Sequence, residues 1–441
     1  MMKKAKRMLL ALTLLGTVNA FAASEESTTL RLTLPKAIEI AVDENPTIKV
    51  ADQDIELKKV SRTEAWQNLL PTVDLTGSMQ YTIKAATMKL GGNSFKMGSD
   101  GTSTWAGALS VSLPLYAPTV YKSMNLSKTD VELAIEKSRG SRLDLVDQVT
   151  KAYYQLLLAQ DSYKVLLGSY SYSERNFKMV EDKYKVGSVS EFDKISAEVQ
   201  MNNIKPNVVS AENAIKLAKL QLKVLLGIGS EEIDVEIDDN LQNYESMVTA
   251  RDWLTETNVE NNTNMKQLDL NEKILNQTLS MQKANFLPTL AASYSFQYQS
   301  LYNNNFEIWH YDWSPSSSVA LSLSIPLYHA SNFTKLKSTR IQINQLQETR
   351  ANTERQLRMQ AQSYLNNMTT GAEQMESTKT SISQAEKALQ IAEKRYEVGK
   401  GTVLELNSSE VALTQAQLTY HQSIYDFLSA KADLDYVLGK E

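Results

Sequence analysis

The feature that most constrains this chain is a long-range repeat. "KYKVGSVSEFDKISAEV" runs from Lys183 to Val199, and "RYEVGKGTVLELNSSEV" runs from Arg395 to Val411. Both place a tyrosine three residues before a glycine, an acid six residues after it, and Glu-Val after that. The glycines stand 212 residues apart (399 − 187). "LSVSLPLYA" from Leu109 and "LSLSIPLYH" from Leu321 keep that offset, as do the Leu-Leu-Gly ending at Gly227 and the Val-Leu-Gly ending at Gly439. "LPTVDLTGSMQY" from Leu70 and "LPTLAASYSFQY" from Leu287 are 217 apart (287 − 70), so an indel of five falls between these motifs. A repeat of this size means a repeated structural unit with pseudo-twofold architecture.

Within each unit the period identifies the elements. Leu145, Val149, Ala152, Leu156, Ala159, Tyr163, Leu166, Tyr170, Ser173, Phe177, Val180 and Tyr184 are spaced 4, 3, 4, 3. That is a coiled-coil seam, and only Ser173 breaks it chemically. The same phase continues 212 residues on, from Leu357 to Tyr396, with Gly371 and Thr378 in the seam. Helices are predicted from about Tyr121 to Val186 and from Phe333 to Val398, each roughly 100 Å long at ~1.5 Å per residue. Gly187 and Gly399 read as C-terminal caps. Helices resume from Glu191 to Leu226 and from Leu404 to Leu438, making two long hairpins. Pro206 interrupts the first return helix, where it predicts a kink; Leu418 replaces it in the second.

Between helices the period becomes two. Strands are predicted at about 72–84, 104–116, 289–300 and 317–328. Each is apolar on one face and small or polar on the other, which suits a transmembrane barrel; half-buried strands of a soluble sheet carry the same pattern. Tyr81, Trp105, Tyr116, Tyr294, Tyr298, Trp313 and Tyr328 gather near strand ends, as interface girdles do. Residues 85–103 read as a flexible external loop. Four strands cannot close a barrel and a lipid-exposed edge is not tolerated, so the chain is expected to oligomerise.

The N-terminus carries Lys3, Lys4, Lys6 and Arg7, a short apolar run, and Ala20-Phe21-Ala22, which together read as a secretory signal peptide over residues 1–22. Removing it takes the formal charge from −5 to −9 (−5 − 4). This acidity argues against a nucleic-acid partner. There is no cysteine and only three histidines, which leaves no basis for thiol chemistry and little for a zinc site or a catalytic triad. No cofactor, metal or enzymatic activity is expected. The segment from Asp234 to Glu245 mimics a calcium loop, but Asp239 stands where glycine is needed. Alternating Ile233, Val235 and Ile237 predict a short strand there instead. The expected organisation is a first repeat over 23–229, a linker over 230–250 and a second repeat over 251–441.

This order of motifs resembles the TolC family of outer-membrane efflux proteins over essentially the whole mature chain. The resemblance rests on the paired "LPTV"/"LPTL", "LPLY"/"IPLY" and Tyr-x-Val-Gly motifs. It implies a mainly α fold with a membrane β-barrel: a duplicated helix–strand–strand–helix-hairpin unit, contributing four strands to a twelve-stranded trimeric barrel, with the hairpins forming a periplasmic tunnel. It implies a homotrimer set in outer-membrane lipid, exporting small toxic compounds with a periplasmic adaptor protein and an inner-membrane pump. The same duct serving type I protein secretion is an alternative, and a non-pore coiled-coil scaffold is another. By resemblance, Val186, Gly187, Ser188, Val398, Gly399 and Lys400 dock the adaptor. Glu405 rings the constriction, and Asp193 hydrogen-bonds Tyr396 in the closed state. Ser408 and Gly401 depart from the family pattern, which has an acid and an arginine there. Asp193 and Glu405 also suit the first turn of any helix electrostatically.

Overall fold

The computed structural model describes residues 28–91, 93–229, 233–251 and 258–440. The expected signal peptide lies outside them. The first half begins with β1 (Thr28–Arg31), α1 (Leu34–Glu44) and α2 (Pro46–Gln67). It continues through β2 (Thr72–Thr82), β3 (Ala86–Leu90), β4 (Asn93–Met97) and β5 (Thr102–Tyr116) into α3 (Pro118–Lys185) and α4 (Glu191–Leu225). β6 (Ile233–Glu236) and α5 (Glu245–Thr249) lead to the second half. There α6 (Thr263–Ala284), β7 (Thr289–Asn303), β8 (Ser314–Ser324), α7 (Ala330–Glu397) and α8 (Val403–Leu438) repeat the plan.

α3 and α7 are each 68 residues long. Helices of that length hold only by burying a continuous stripe. The seam does so: Leu145, Val149, Leu156 and Val180 of α3 and Leu357, Ala361, Met368 and Met375 of α7 are buried. Gly371 belongs in the seam because α8 comes close: a Cβ there would lie 3.2 Å from the Phe427 nitrogen and the Ser423 carbonyl. α4 runs as one helix through Pro206, so the proline interrupts a hydrogen bond without ending the element.

β2, β5, β7 and β8 form one antiparallel sheet in that order. Among the described residues, β2 and β8 are its unpaired edges. β8 stops at Ser324, short of the expected 328, because its pairing with β7 ends at Thr289↔Ser324 and Pro326 beyond offers no N–H. β5 reaches Tyr116 past Pro114 because β7 continues beside it to Leu290. The segment read as a flexible loop contains the hairpin β3–β4, tied at its base by Asp100. That carboxylate accepts from the Ala85 N–H at 2.7 Å and pairs with Lys96 at 2.9 Å.

β1 pairs in parallel with β6, where the alternation of Ile233 and Val235 predicts a strand. The segment after β6 is fastened to the helices. Asp161 of α3 accepts from the Leu241 N–H at 3.0 Å, and Asp239 accepts from Tyr244 at 2.7 Å and Tyr153 at 3.3 Å. Asp239 therefore serves as a local tie.

The duplication extends to a tie that joins the return helices to the helices that feed the strands. Asn45 caps α2 through the Thr47 N–H and donates to the Leu225 carbonyl, each at 2.8 Å. Asn262 caps α6 through the Asn264 N–H and donates to the Val437 carbonyl, also each at 2.8 Å. The asparagines are 217 apart (262 − 45) and the carbonyls 212 (437 − 225). Gly227 and Gly439 close the return helices with φ of +72° and +67°. A Cβ on Gly227 would lie 2.9 Å from the Glu44 carbonyl, and one on Gly439 would collide with that of Asn261. Only glycine satisfies both the turn and the approach.

Candidate functional site

The two hairpin tips lie together at the far end of the long helices from the sheet. α3 ends in a Schellman turn: the Gly187 N–H donates to Tyr184 and the Ser188 N–H to Lys183, both at 2.9 Å. α7 ends the same way, with Gly399 donating to Tyr396 at 3.2 Å and Lys400 to Arg395 at 2.8 Å. Gly187 and Gly399 have φ of +74° and +72°, yet a Cβ on either meets nothing within 4 Å. Backbone conformation, and not lack of space, calls for glycine here. Val186 and Val398 are 79% and 68% exposed, a high value for valine. With Ser188 and Lys400 they form an accessible surface at the turns.

Ser190 and Asp193 make a complete capping box at the start of α4. The Asp193 carboxylate accepts from the Ser190 N–H at 3.1 Å and from its hydroxyl at 2.7 Å. The expected hydrogen bond between Asp193 and Tyr396 is not made in this conformation. The Tyr396 hydroxyl is buried without a hydrogen-bond partner among the described residues. Burial, and then the nearby Asp193 charge, push its phenol above the ordinary range. Tyr396 is held by other means. Lys183 of α3 places its ammonium 4.4 Å from the ring centroid and donates to the Tyr396 carbonyl at 3.3 Å. That contact crosses from the first hairpin to the second.

Glu405 sits in the first turn of α8, where its N–H donates to the Thr402 hydroxyl at 3.2 Å. Its carboxylate lies 3.6 Å from the Arg395 guanidinium, and both side chains are about half exposed. Ser408 donates its hydroxyl back to the Glu405 carbonyl at 3.0 Å. Gly401 is confined: a Cβ would come within 2.9 Å of the Tyr396 nitrogen. A long side chain at 401 requires the turn to shift. Arg395, in the last turn of α7, donates to the Lys400 carbonyl at 3.3 Å.

Around the tips, Val180, Ala197, Leu389, Ala392, Tyr396, Val403 and Leu406 form a buried cluster separate from the main core. Sequence reasoning missed Lys183 and Arg395. Their only signal was position, each beside a tip tyrosine.

The family model described as outer membrane efflux protein matches residues 37–228 and 254–440. The chain belongs to this family. Like its relatives, this efflux protein resides in the outer membrane of a Gram-negative bacterium. It is 20% identical to the outer membrane protein TolC of Vibrio cholerae, over 75% of this chain and 76% of the relative. It is 20% identical to the alkaline protease secretion protein AprF of Pseudomonas aeruginosa, over 91% of this chain and 83% of the relative. Among solved structures it superposes on the outer membrane protein VceC of Vibrio cholerae with a TM-score of 0.72, at 16% identity, covering 92% of this chain and 96% of that one. The shared fold places the efflux protein's sheet at one end of its hairpins and the Gly187 and Gly399 turns at the other.

Proposed function

We propose that the efflux protein works as a homotrimeric duct that passively exports small toxic compounds, with an adaptor protein and an inner-membrane pump at its periplasmic mouth. One observation carries this reading: among the described residues the four-stranded sheet ends in two unpaired edges, β2 and β8, and these edge strands are exposed on both faces in the single chain. Such edges cannot stand in hydrocarbon. Three copies supply twelve strands and join β8 of one protomer to β2 of the next. The hairpins then continue the barrel as a tunnel, and the tips meet at its mouth. The exposed Val186 and Val398, with Ser188 and Lys400, offer the adaptor a mixed apolar and polar surface.

Protein secretion is the second reading. It is favoured by the likeness to AprF, a relative named for protease secretion, across 91% of this chain. The test is planar-bilayer conductance of the detergent-extracted oligomer, followed by export of a dye and of a secreted protein in cells lacking the native duct. Conductance with dye export supports the first reading, and conductance with protein export alone supports the second. A detergent-free soluble protein without conductance means a coiled-coil scaffold instead.

A further inference from the structure

Between the tip cluster and the main core, α3 and α8 meet through a run of polar side chains. Ser169, Ser173 and Asn176 of α3 face Thr414, Glu410 and Asn407 of α8, which runs the opposite way. Ser169 and Ser173 both donate to the Glu410 carboxylate, the second at 3.1 Å. Thr414 donates to Ser169 at 3.1 Å, and Asn176 to Asn407 at 3.3 Å. Gln200 reaches in from α4 to Glu410 at 3.3 Å. Glu410 is only 3% exposed, and among the described residues no Lys, Arg or His pairs with it. A buried carboxylate held by neutral donors is poorly compensated for the water it has lost. An apolar residue would fill this place at no such cost.

We propose that Glu410 is a positioning residue, fixing the register of the second hairpin on the first and marking the joint below which the tips part. The inference rests on the duct reading. A polar layer inside an apolar seam specifies register, because slippage strands its hydrogen bonds. The same layer lowers the cost of separation. Parting an apolar seam exposes hydrocarbon to water, whereas parting this one returns a carboxylate and its partners to water that hydrates them well. The main core above keeps α3 and α8 packed, for instance where Lys151 meets Asp433 at 2.8 Å. The tip cluster below draws Val180 and Ala197 from the first hairpin and Leu389, Tyr396 and Leu406 from the second, so it divides between them as they part.

The test uses the detergent-extracted full-length oligomer in planar bilayers. The triple variant Ser169→Ala, Ser173→Ala, Glu410→Leu makes the layer apolar, and its open fraction is expected to fall at least about tenfold. Glu410→Gln keeps a polar but neutral group, which regains less hydration than a carboxylate, and should open less than the parent and more than the triple variant. The absence of native cysteine permits a second arm that does not depend on the triple variant folding. A short thiol crosslinker across Asn176→Cys and Asn407→Cys should hold the mouth shut until cleaved. The same reagent across Lys151→Cys and Asp433→Cys should leave opening unchanged. If the triple variant opens like the parent, or the two crosslinks act alike while the parent conducts, the joint is refuted and the duct stands. If no form conducts, the duct reading falls and the joint with it.

Discussion

At the scale of single residues, the tips divide between backbone demands and side-chain contacts. Gly187 and Gly399 hold left-handed turns in open space. Replacing either with valine strains the backbone by about 1–2 kcal/mol without a clash. The trimer is expected to persist while export is lost, as native mass spectrometry and a dye-efflux assay will show. Loss of the trimer itself assigns the glycines to folding. Tyr396 and Lys183 make a sharper case. The Tyr396 hydroxyl is buried and unpartnered, so Tyr396→Phe removes a group that costs about 1–3 kcal/mol to bury. Resting conductance should stay the same or fall. Lys183→Met removes both the cation over the ring and the donor to the Tyr396 carbonyl, and resting conductance should rise. The opposite pattern in bilayer recordings restores a tyrosine–Asp193 lock. Glu405 faces Arg395 within its own chain, so in the proposed trimer a ring of three such carboxylates would be partly neutralised. Cation block through it should be modest and disappear with salt.

At the scale of elements, the ties between helices govern stability. Asn45 and Asn262 each cap one helix and bind the end of another. Either asparagine to alanine should cost about 1–2 kcal/mol, with similar effects because the geometry is duplicated. Chemical unfolding in detergent measures this, and a large inequality would mean that the two halves carry unequal loads. Asp239 fastens the segment after β6. Burial alone raises its carboxyl, but hydrogen bonds from Asn243, Tyr244, the Asn240 N–H and Tyr153 outweigh burial and lower it. A lowered folded-state value means that the carboxylate stabilises above its unfolded value. This contribution is lost as pH falls through the folded one, below about pH 4. Hydrogen exchange over residues 233–249 should accelerate in that range, and Asp239→Asn should show the faster exchange already at neutral pH. An unchanged profile in the variant would place the acid sensitivity elsewhere.

At the scale of the whole molecule, the decisive feature is incompleteness. A four-stranded sheet with edges at β2 and β8 and many exposed apolar side chains has no stable single-chain form in a membrane. The detergent-extracted protein is expected to have three times the chain mass by native mass spectrometry. A dimer would imply an eight-stranded closure, and a monomer would remove the barrel altogether. Charged substitution at an edge, such as Val319→Asp, should reduce the trimer in the membrane more than Ser318→Asp, since Val319 lies on the apolar face.

The period of 3.5 in the long helices and of two in the strands was legible because both are local. Burial of one stripe or one face must recur at the spacing that the backbone imposes. The paired Gly187 and Gly399 were legible for the same reason, since a left-handed cap is set within one turn. What the sequence could not reveal depends on residues brought together from far apart. Glu410 shows in the sequence only as the Glu of the repeated Glu-Val and through the solitary Ser173 in the seam, and only the fold closes Ser169, Ser173 and Gln200 over it. Nothing local to Asn45 or Asn262 points to the Leu225 and Val437 carbonyls to which they donate. Asp193 suited both a helix start and a bond to Tyr396, and it makes the local capping box with Ser190. Periodicity encodes which face of an element is buried, but the partner of a polar group depends on the distance and angle between elements, which no local pattern contains.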